Sequence, residues 1–430
     1  MLYTLLMQDA DETTARVVEA IVDYVFVPED GAAFETLCVD PRLKIVSLTV
    51  TEKGYYQDVA TGELDLKAPQ IKQDITAWHW SGRLHAPKTA FGFICAVMQR
   101  RRAATLPPVT VLSCDNLPLN GDLCRGATLA FARAVDPTLA RWIDERASFP
   151  NSMVDRITPA TEDAHKATLA TDYGVVDAWP VVSERFSQWV VEDAFVAGRP
   201  AWDTAFDATN ANESVMFVDD VEPYETMKLR LLNSGHSALA SVGLLLGHRL
   251  VHLSLGDGDV LAFLGAYMAQ VSTTLGPVPG VDLAAYRRQL VARFSNPRIA
   301  DQLSRLASDG SQKFASTLQH ALLEMKRRAP HAPPSIVAVA LAAFLRTTAR
   351  VDEMGQAFVV ADPLVDALAP LAKRAYDADD ATATTEFLGL VFGDAVANWA
   401  SLVDAVHHTI WSLRAVGLRA TLRHLTHREA

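Results

Sequence analysis

The sequence predicts an α/β N-terminal domain with an incomplete doubly wound sheet, followed by a mostly α-helical C-terminal domain. Three observations predict it. At 430 residues the chain is too long for one ordinary core, so two domains are expected. Residues up to about 115 alternate apolar, β-branched runs with helix-like stretches. From about 222 the pattern is helical almost to the end. The break falls near "SVMFVDDVEPY", and the domains are placed at 1–218 and 219–430.

The elements follow in order. "LYTLLM" suits an opening strand, and "ARVVEAIVDYVFV" carries the β-branched and aromatic residues of a strand pair. "GAAFETLCVDP" reads as a short helix that stops at its proline. "LKIVSLTVTE" is the strongest strand signal, a continuous apolar run suited to a parallel strand covered on both faces. "TAFGFICAVMQRRRAA" is helical, and "PPVTVLSCDN" is another strand ending in polar residues. In such sheets ligands gather beyond the carboxyl ends of the strands. That puts Thr49, Val50, Thr51 and Glu52, and Ser113, Asp115 and Asn116, on the expected ligand side. Next come the helices "ATLAFARAV" and "TLARWIDERA" and the loop-rich "FPNSMVDRITPAT". The second half holds "MKLRLLNSGHSALASVGLLLGHRLVHL", "PSIVAVALAAFLRTTARV", "PLVDALAPLAKRAY" and "TEFLGLVFGDAVANWASLVDAVHHTIWSLRAVGL", all helix-like.

Composition narrows the function classes. Net charge is −12, with no basic run beyond Arg100-Arg101-Arg102, which argues against nucleic acid as a partner. The four cysteines, Cys38, Cys95, Cys114 and Cys124, match no zinc or CxxC pattern and read as reduced thiols of a cytoplasmic protein. The start lacks a basic n-region and a cleavage site, and no apolar run is long enough to span a membrane. His248 and His252 stand at a spacing that can chelate a metal, but no third ligand accompanies them, so no metal is expected. Trp78, His79 and Trp80 in "TAWHWSG" could stack on a ligand, with core packing the ordinary reading. The last residues form a basic amphipathic stretch suited to a surface helix.

One stretch carries chemistry. If 222–250 is one α-helix, Lys228, Glu225, His236 and Asn233 fall within an arc of roughly 140° and over about 16 Å of axis. An amine, a carboxylate, an imidazole and an amide then share one face of an apolar helix. Burial disfavours a charged amine, which suits a lysine to act as a general base. The Asn233 amide offers N–H donors to an oxygen gaining negative charge. The plain alternative is that the lysine snorkels and the histidine packs in the core. Four polar groups on one arc favour function but do not by themselves say which.

Lys228-x4-Asn233-x2-His236 resembles the catalytic signature of the mannitol dehydrogenase family of polyol-specific long-chain dehydrogenases. "IVSLTVTEKGYY", "SCDNLPLNGD", "FPNSMVDRITP" and "RFSNPRIADQLSRLASDGSQK" resemble further family blocks, in family order. The resemblance implies a Rossmann-like dinucleotide domain over 1–218 and a helical catalytic and substrate domain over 219–430. It implies an NAD(P)-dependent oxidoreductase that interconverts a sugar alcohol and a ketose, mannitol and fructose first. D-arabinitol, and fructuronate in the reducing direction, are close alternatives. It makes Lys228 the general base, with Asn116 and Asn233 holding the developing alkoxide, and Asn120 a weaker alternative to Asn116. His236 would bind the reacting oxygen and steady the lysine, and Glu225 would guard the proton path. Asp155, Arg305 and Lys313 would hydrogen-bond the substrate hydroxyls, although Arg305 and Lys313 could equally be a solvated helix face. The cofactor is NAD or NADP, contacted through Thr49–Glu52, Ser113 and Asp115.

A family feature is missing. There is no G-x-G-x-x-G, and Gly256-Asp-Gly258, in the helical half, reads as a turn. Family members carry the glycine-rich turn ahead of the point that resembles Leu2-Tyr3-Thr4-Leu5, so residues 1–430 are expected to bind dinucleotide poorly. An inactive, polyol-binding remnant is therefore the reading from another class. A monomer is the default for oligomeric state.

Overall fold

The computed structural model describes residues 1–58, 61–204 and 213–426. The chain forms two compact units, Met1–Met7 with Thr14–Glu222, and Gln8–Thr13 with Pro223–Ala430. In the first part of the chain the elements are β1 (Tyr3–Gln8), β2 (Thr13–Val18), α1 (Gly31–Cys38), β3 (Ile45–Leu48), α2 (Pro69–Ser81), α3 (Ala90–Ala103) and β4 (Thr110–Ser113). Then come α4 (Asn120–Val135), α5 (Pro137–Arg146), β5 (Ser152–Asp155), α6 (Asp163–Tyr173), β6 (Val181–Glu184), β7 (Ser187–Glu192) and β8 (Glu213–Val218).

The centre of this unit is the parallel pair β3–β4, in register from Ile45 opposite Thr110 to Leu48 opposite Ser113. β4 is buried along its length, and α3 and α4 pack around it through Phe91, Ile94, Cys95, Phe131 and Ala132. This is the Rossmann-type arrangement that the strand–helix–strand pattern predicts. The described strands do not form one sheet, however. They divide into β2–β1–β6, β3–β4 and β5–β7–β8. In the last sheet β5 is antiparallel to β7, and β7 is parallel to β8.

Four local expectations need correction. The strand at "LKIVSLTVTE" ends at Leu48, because Thr51 has a left-handed backbone (φ 61°), which a β-branched residue in a strand cannot keep. Of the expected strand pair 15–27 only β2 forms, and Val22, Tyr24 and Phe26 are exposed. The α2 helix was not legible as one, since its sequence mixes polar and aromatic residues without a clean apolar stripe. It buries Trp78 in the core, whereas Trp80 is 90% exposed and packs in no core. The segment read as a loop at "FPNSMVDRITPAT" contains β5.

The second unit is helical. It comprises α7 (Glu222–Met227), a π-turn (Lys228–Asn233), α8 (Ser234–Leu245), α9 (Val251–Leu255), α10 (Gly258–Ser272), α11 (Leu283–Phe294) and α12 (Leu303–Ala307). Next are α13 (Gly310–Arg328), α14 (Ser335–Thr347), α15 (Val365–Asp377), α16 (Ala381–Phe392), α17 (Asp394–Ala397), α18 (Ala400–Val416) and α19 (Leu418–Thr426). α8 and α14 are buried along almost their whole length, the pattern of helices at the centre of a large core, and α8 carries Ser234, His236, Ser237 and Ser241 among its apolar residues. The single helix expected over 222–250 is interrupted twice. The π-turn breaks it at the lysine, and it ends at Leu245, two residues before Gly247 takes φ 88°. No described helix is long and apolar enough to cross a membrane.

Candidate active site

In the first unit the polar residues at the strand ends are tied to each other. The Thr51 N–H donates to Asp115 Oδ1 at 2.7 Å, which holds the strained Thr51 backbone. The Tyr55 hydroxyl lies 2.6 Å from Ser113 Oγ and donates to Asp115 Oδ2 at 3.0 Å. Burial pushes the Tyr55 phenol well above its ordinary pKa, so it stays a donor. Ser113 is wholly buried, and its neighbour Asp115 nearly so. Both therefore shape the loop after β3 from beneath. The surface they support consists of Thr49, Thr51 and Glu52, exposed, with Val50 half-buried.

Asn116 is exposed at the end of β4. Asn120 has a different task. It is 1% exposed, its amide donates to the carbonyls of Asp115 (2.9 Å) and Ser152 (2.8 Å), and its oxygen accepts from the Ser152 N–H (2.9 Å). Both its amide hydrogens are taken up by the main chain, so it fastens α4 to β5. Ser152 Oγ donates to the Ser113 carbonyl at 2.6 Å, linking β5 to β4. Asp155, at the end of β5, is buried.

In the second unit, Glu225 and Lys228 are each 8% exposed. Asn233 and His236 are half-buried. The π-turn changes their relation. In an α-helix residues five apart diverge by about 140°. In a π-turn the hydrogen bond runs from residue i+5 to residue i, giving positions five apart the near-stacked relation that positions four apart have in an α-helix, about 40°. The Ser234 N–H indeed reaches Leu229 O, five residues back. The turn therefore brings Lys228 and Asn233 to one side of the helix, and His236, three residues on, is a helical neighbour of Asn233.

The His236 imidazole stacks on Phe294, the last residue of α11, with ring centroids 3.8 Å apart and 24° between planes. Burial, reinforced by the charges of Arg293, Arg305 and Lys313, drives its pKa down to about 3. The imidazole is therefore neutral at physiological pH. Arg305 Nε donates to Asp301 Oδ1 at 2.8 Å, within an ion pair. Lys313 Nζ donates to the carbonyls of Arg305 (3.2 Å) and Leu306 (3.0 Å) at the end of α12. Arg293 is buried. Sequence reasoning missed Arg293 and Phe294, although both lie in the quoted "RFSNPRI" block. Nothing local marks a phenylalanine as a ring support. His248 lies 3.4 Å from Asp257, and among the described residues no cluster of metal-ligating side chains occurs.

A Rossmann-type unit with polar loops at its strand ends, and a helical unit carrying lysine, amide and neutral imidazole on one helix side, define a class of two-unit oxidoreductase. The model of the mannitol dehydrogenase Rossmann domain matches residues 1–204, and that of the mannitol dehydrogenase C-terminal domain matches 220–413. The chain belongs to the mannitol dehydrogenase family. Mannitol 2-dehydrogenase of Phaeosphaeria nodorum is 38% identical over 98% of this chain and 71% of its own length. The solved structure of Pseudomonas fluorescens mannitol 2-dehydrogenase, a ternary complex with NAD and D-mannitol, is 41% identical and superposes with a TM-score of 0.80 over 99% of this chain and 83% of that one. A D-sorbitol dehydrogenase in substrate-free form is 35% identical, with a TM-score of 0.87 over 98% of this chain and 83% of that one.

Proposed function

We propose that the protein is an NAD(P)-dependent polyol dehydrogenase that oxidises a secondary alcohol of a sugar alcohol to a ketose, or runs the reverse, with mannitol and fructose the first pair. The observation that carries this reading is the buried Lys228 on the same helix side as Asn233 and the neutral His236. Lys228 takes the hydroxyl proton. The Asn233 amide donates to the oxygen as it gains charge. His236, held neutral, can donate from one ring nitrogen and accept at the other, so it orients that oxygen without competing for its proton. Lys313 and Arg305 supply donors for further hydroxyls, and a polyhydroxylated substrate both donates and accepts. Asn116 and Asp155 carry the alkoxide-holding and hydroxyl-binding roles implied by the family blocks in which they stand. Glu225 is the proton-path residue on the same basis.

The nicotinamide dinucleotide, when bound, supplies the hydride acceptor. The loops after β3 and β4 fit such a group. They sit at the carboxyl ends of parallel strands, and Thr49, Thr51, Glu52 and Asn116 are exposed there. All four cysteines are free, which fits a cytoplasmic setting.

A polyol panel with NAD and NADP, each raised to saturation, tests the reading. Lys228→Ala should lower turnover by about 10²- to 10⁴-fold while cofactor affinity stays within error. Turnover that survives the substitution removes the lysine from the mechanism. The superposition on D-sorbitol dehydrogenase favours D-sorbitol as the second substrate to try, beside D-arabinitol and fructuronate.

A further inference from the structure

The π-turn needs a hydrogen bond that a regular helix would not. In an α-helix the Ser234 N–H would bond the Arg230 carbonyl, four residues back. Here it passes over that carbonyl to Leu229. A buried main-chain carbonyl without its donor is costly. Ser234 supplies the substitute, because its wholly buried side-chain hydroxyl donates to the Arg230 carbonyl. The turn is pinned at a second point, where Arg230 Nη1 donates to Thr274 O (2.8 Å) and Thr274 Oγ1 (3.0 Å) just after α10. Single π-turns inside α-helices gather at functional sites, and this one begins on the lysine and ends on the asparagine.

We propose that Ser234 is a positioning residue whose hydroxyl holds the π register that sets Lys228 and Asn233 on one side of the helix. Without that bond the competing register is the α-helix, in which the two residues stand about 140° apart. At a five-residue spacing the two residues stack closely only in the π register, whereas the α register leaves them at the two edges of a broad face. The inference rests on the catalytic roles proposed above, but its test does not depend on turnover.

The readout is the titration midpoint of the Lys228 amine, followed by NMR on [13C]lysine-labelled protein and assigned as the resonance that Lys228→Met removes. Ser234→Ala should shift that midpoint by about half a pH unit or more, since the amine changes its neighbours. Ser234→Thr, which keeps the hydroxyl, should restore it. Ser241→Ala is the control. Ser241 is equally buried and its hydroxyl bonds the Ser237 carbonyl at 2.9 Å, but in a regular stretch of α8, so its loss should leave the midpoint in place. Should Ser234→Ala not fold by circular dichroism, Ser234→Cys takes its place, with a thiol of similar size and much weaker donation. An unmoved midpoint in the folded variant overturns the proposal. With bound cofactor and polyol, the same variant should lose about tenfold to a hundredfold in kcat with little change in cofactor KM. The two readings fail separately. Turnover by Lys228→Ala would sink the catalytic assignment, and a fixed midpoint in Ser234→Ala would sink the register claim.

Discussion

At the scale of single residues, the informative group is His236. Its pKa of about 3 lies below the ordinary histidine value, so between pH 6.5 and 3 the unfolded chain binds a proton that the folded chain refuses. The stability tied to the neutral ring is complete above pH 6.5 and is lost as pH falls towards 3. His236→Gln should therefore flatten the decline of Tm across that window, and an unchanged slope would show that the ring does not titrate this way. For the same reason His236 should contribute no limb near pH 6.5 to the kcat profile. The cysteines make a second case. Burial raises Cys38 and Cys124 to about 12 and the half-buried Cys114 to about 11, so thiolate is scarce at pH 8. Ellman's reagent should label the native protein slowly, Cys114 first, and all four rapidly in denaturant. The free state of these cysteines was legible from their spacing. The spending of Arg100, Arg101 and Arg102 was not. Arg100 and Arg101 are buried, bonded to Glu35 and to the Pro107 carbonyl, and the half-buried Arg102 pairs with Asp136; a basic triplet reads the same in sequence whether it faces water or the core.

At the scale of elements, periodicity found most helices and missed what depends on partners. α3, α5 and α14 formed where the sequence placed them, and α4 began at Asn120, seven residues ahead of the expected "ATLAFARAV". β3 proved shorter because Thr51 is held in a left-handed conformation by Asp115, 64 residues on, which no local pattern reports. The π-turn was invisible for a like reason, since its support is a side-chain bond within a buried helix. The join between α4 and β5 gives a sharp test. A Cβ on Gly121 would stand 2.5 Å from the carbonyl oxygens of Phe149 and Pro150, so only glycine fits there. Gly121→Ala should cost about 1–3 kcal/mol in urea unfolding, the range for overpacking. A stability equal to wild type would mean that β5 yields freely. The helix α19 is held by charge as well as by its buried Leu418 and Leu422. Arg419 bonds Asp257 and Asp259 at the start of α10, and Arg423 bonds Asp259. The Arg419 hydrogen bond and charge hold Asp257 down at about 2, so this docking persists until pH falls towards that value. Arg419 is partly exposed and screened, so Arg419→Ala should cost only about 1 kcal/mol and loosen α19 first, as early hydrogen exchange there would show.

At the scale of the whole molecule, the question is how residues 1–430 handle a dinucleotide. Parallel strands β3 and β4 present their carboxyl ends, and the loop at Thr49–Glu52 is shaped from beneath by Tyr55, Ser113 and Asp115. On the proposed function, that loop would support the nicotinamide end of a cofactor. The pyrophosphate end needs main-chain N–H groups at a glycine-rich turn leading into a helix. Among these residues no such sequence occurs, and Gly256-Asp-Gly258 instead joins α9 to α10, with Asp257 capping the latter. Residues 1–430 by themselves should thus bind NADH more weakly than micromolar in a fluorescence titration. A ligand present at a hundred times its Kd would add about 2.7 kcal/mol to stability, so Tm at fixed NADH gives an independent scale. At about 100 µM NADH the expected rise in Tm falls well short of the one that a micromolar Kd would give. Micromolar binding with a matching rise would show that the strand-end loops suffice for the cofactor, and the search for its phosphate contacts would then move to the exposed donors Thr49, Thr51 and Asn116.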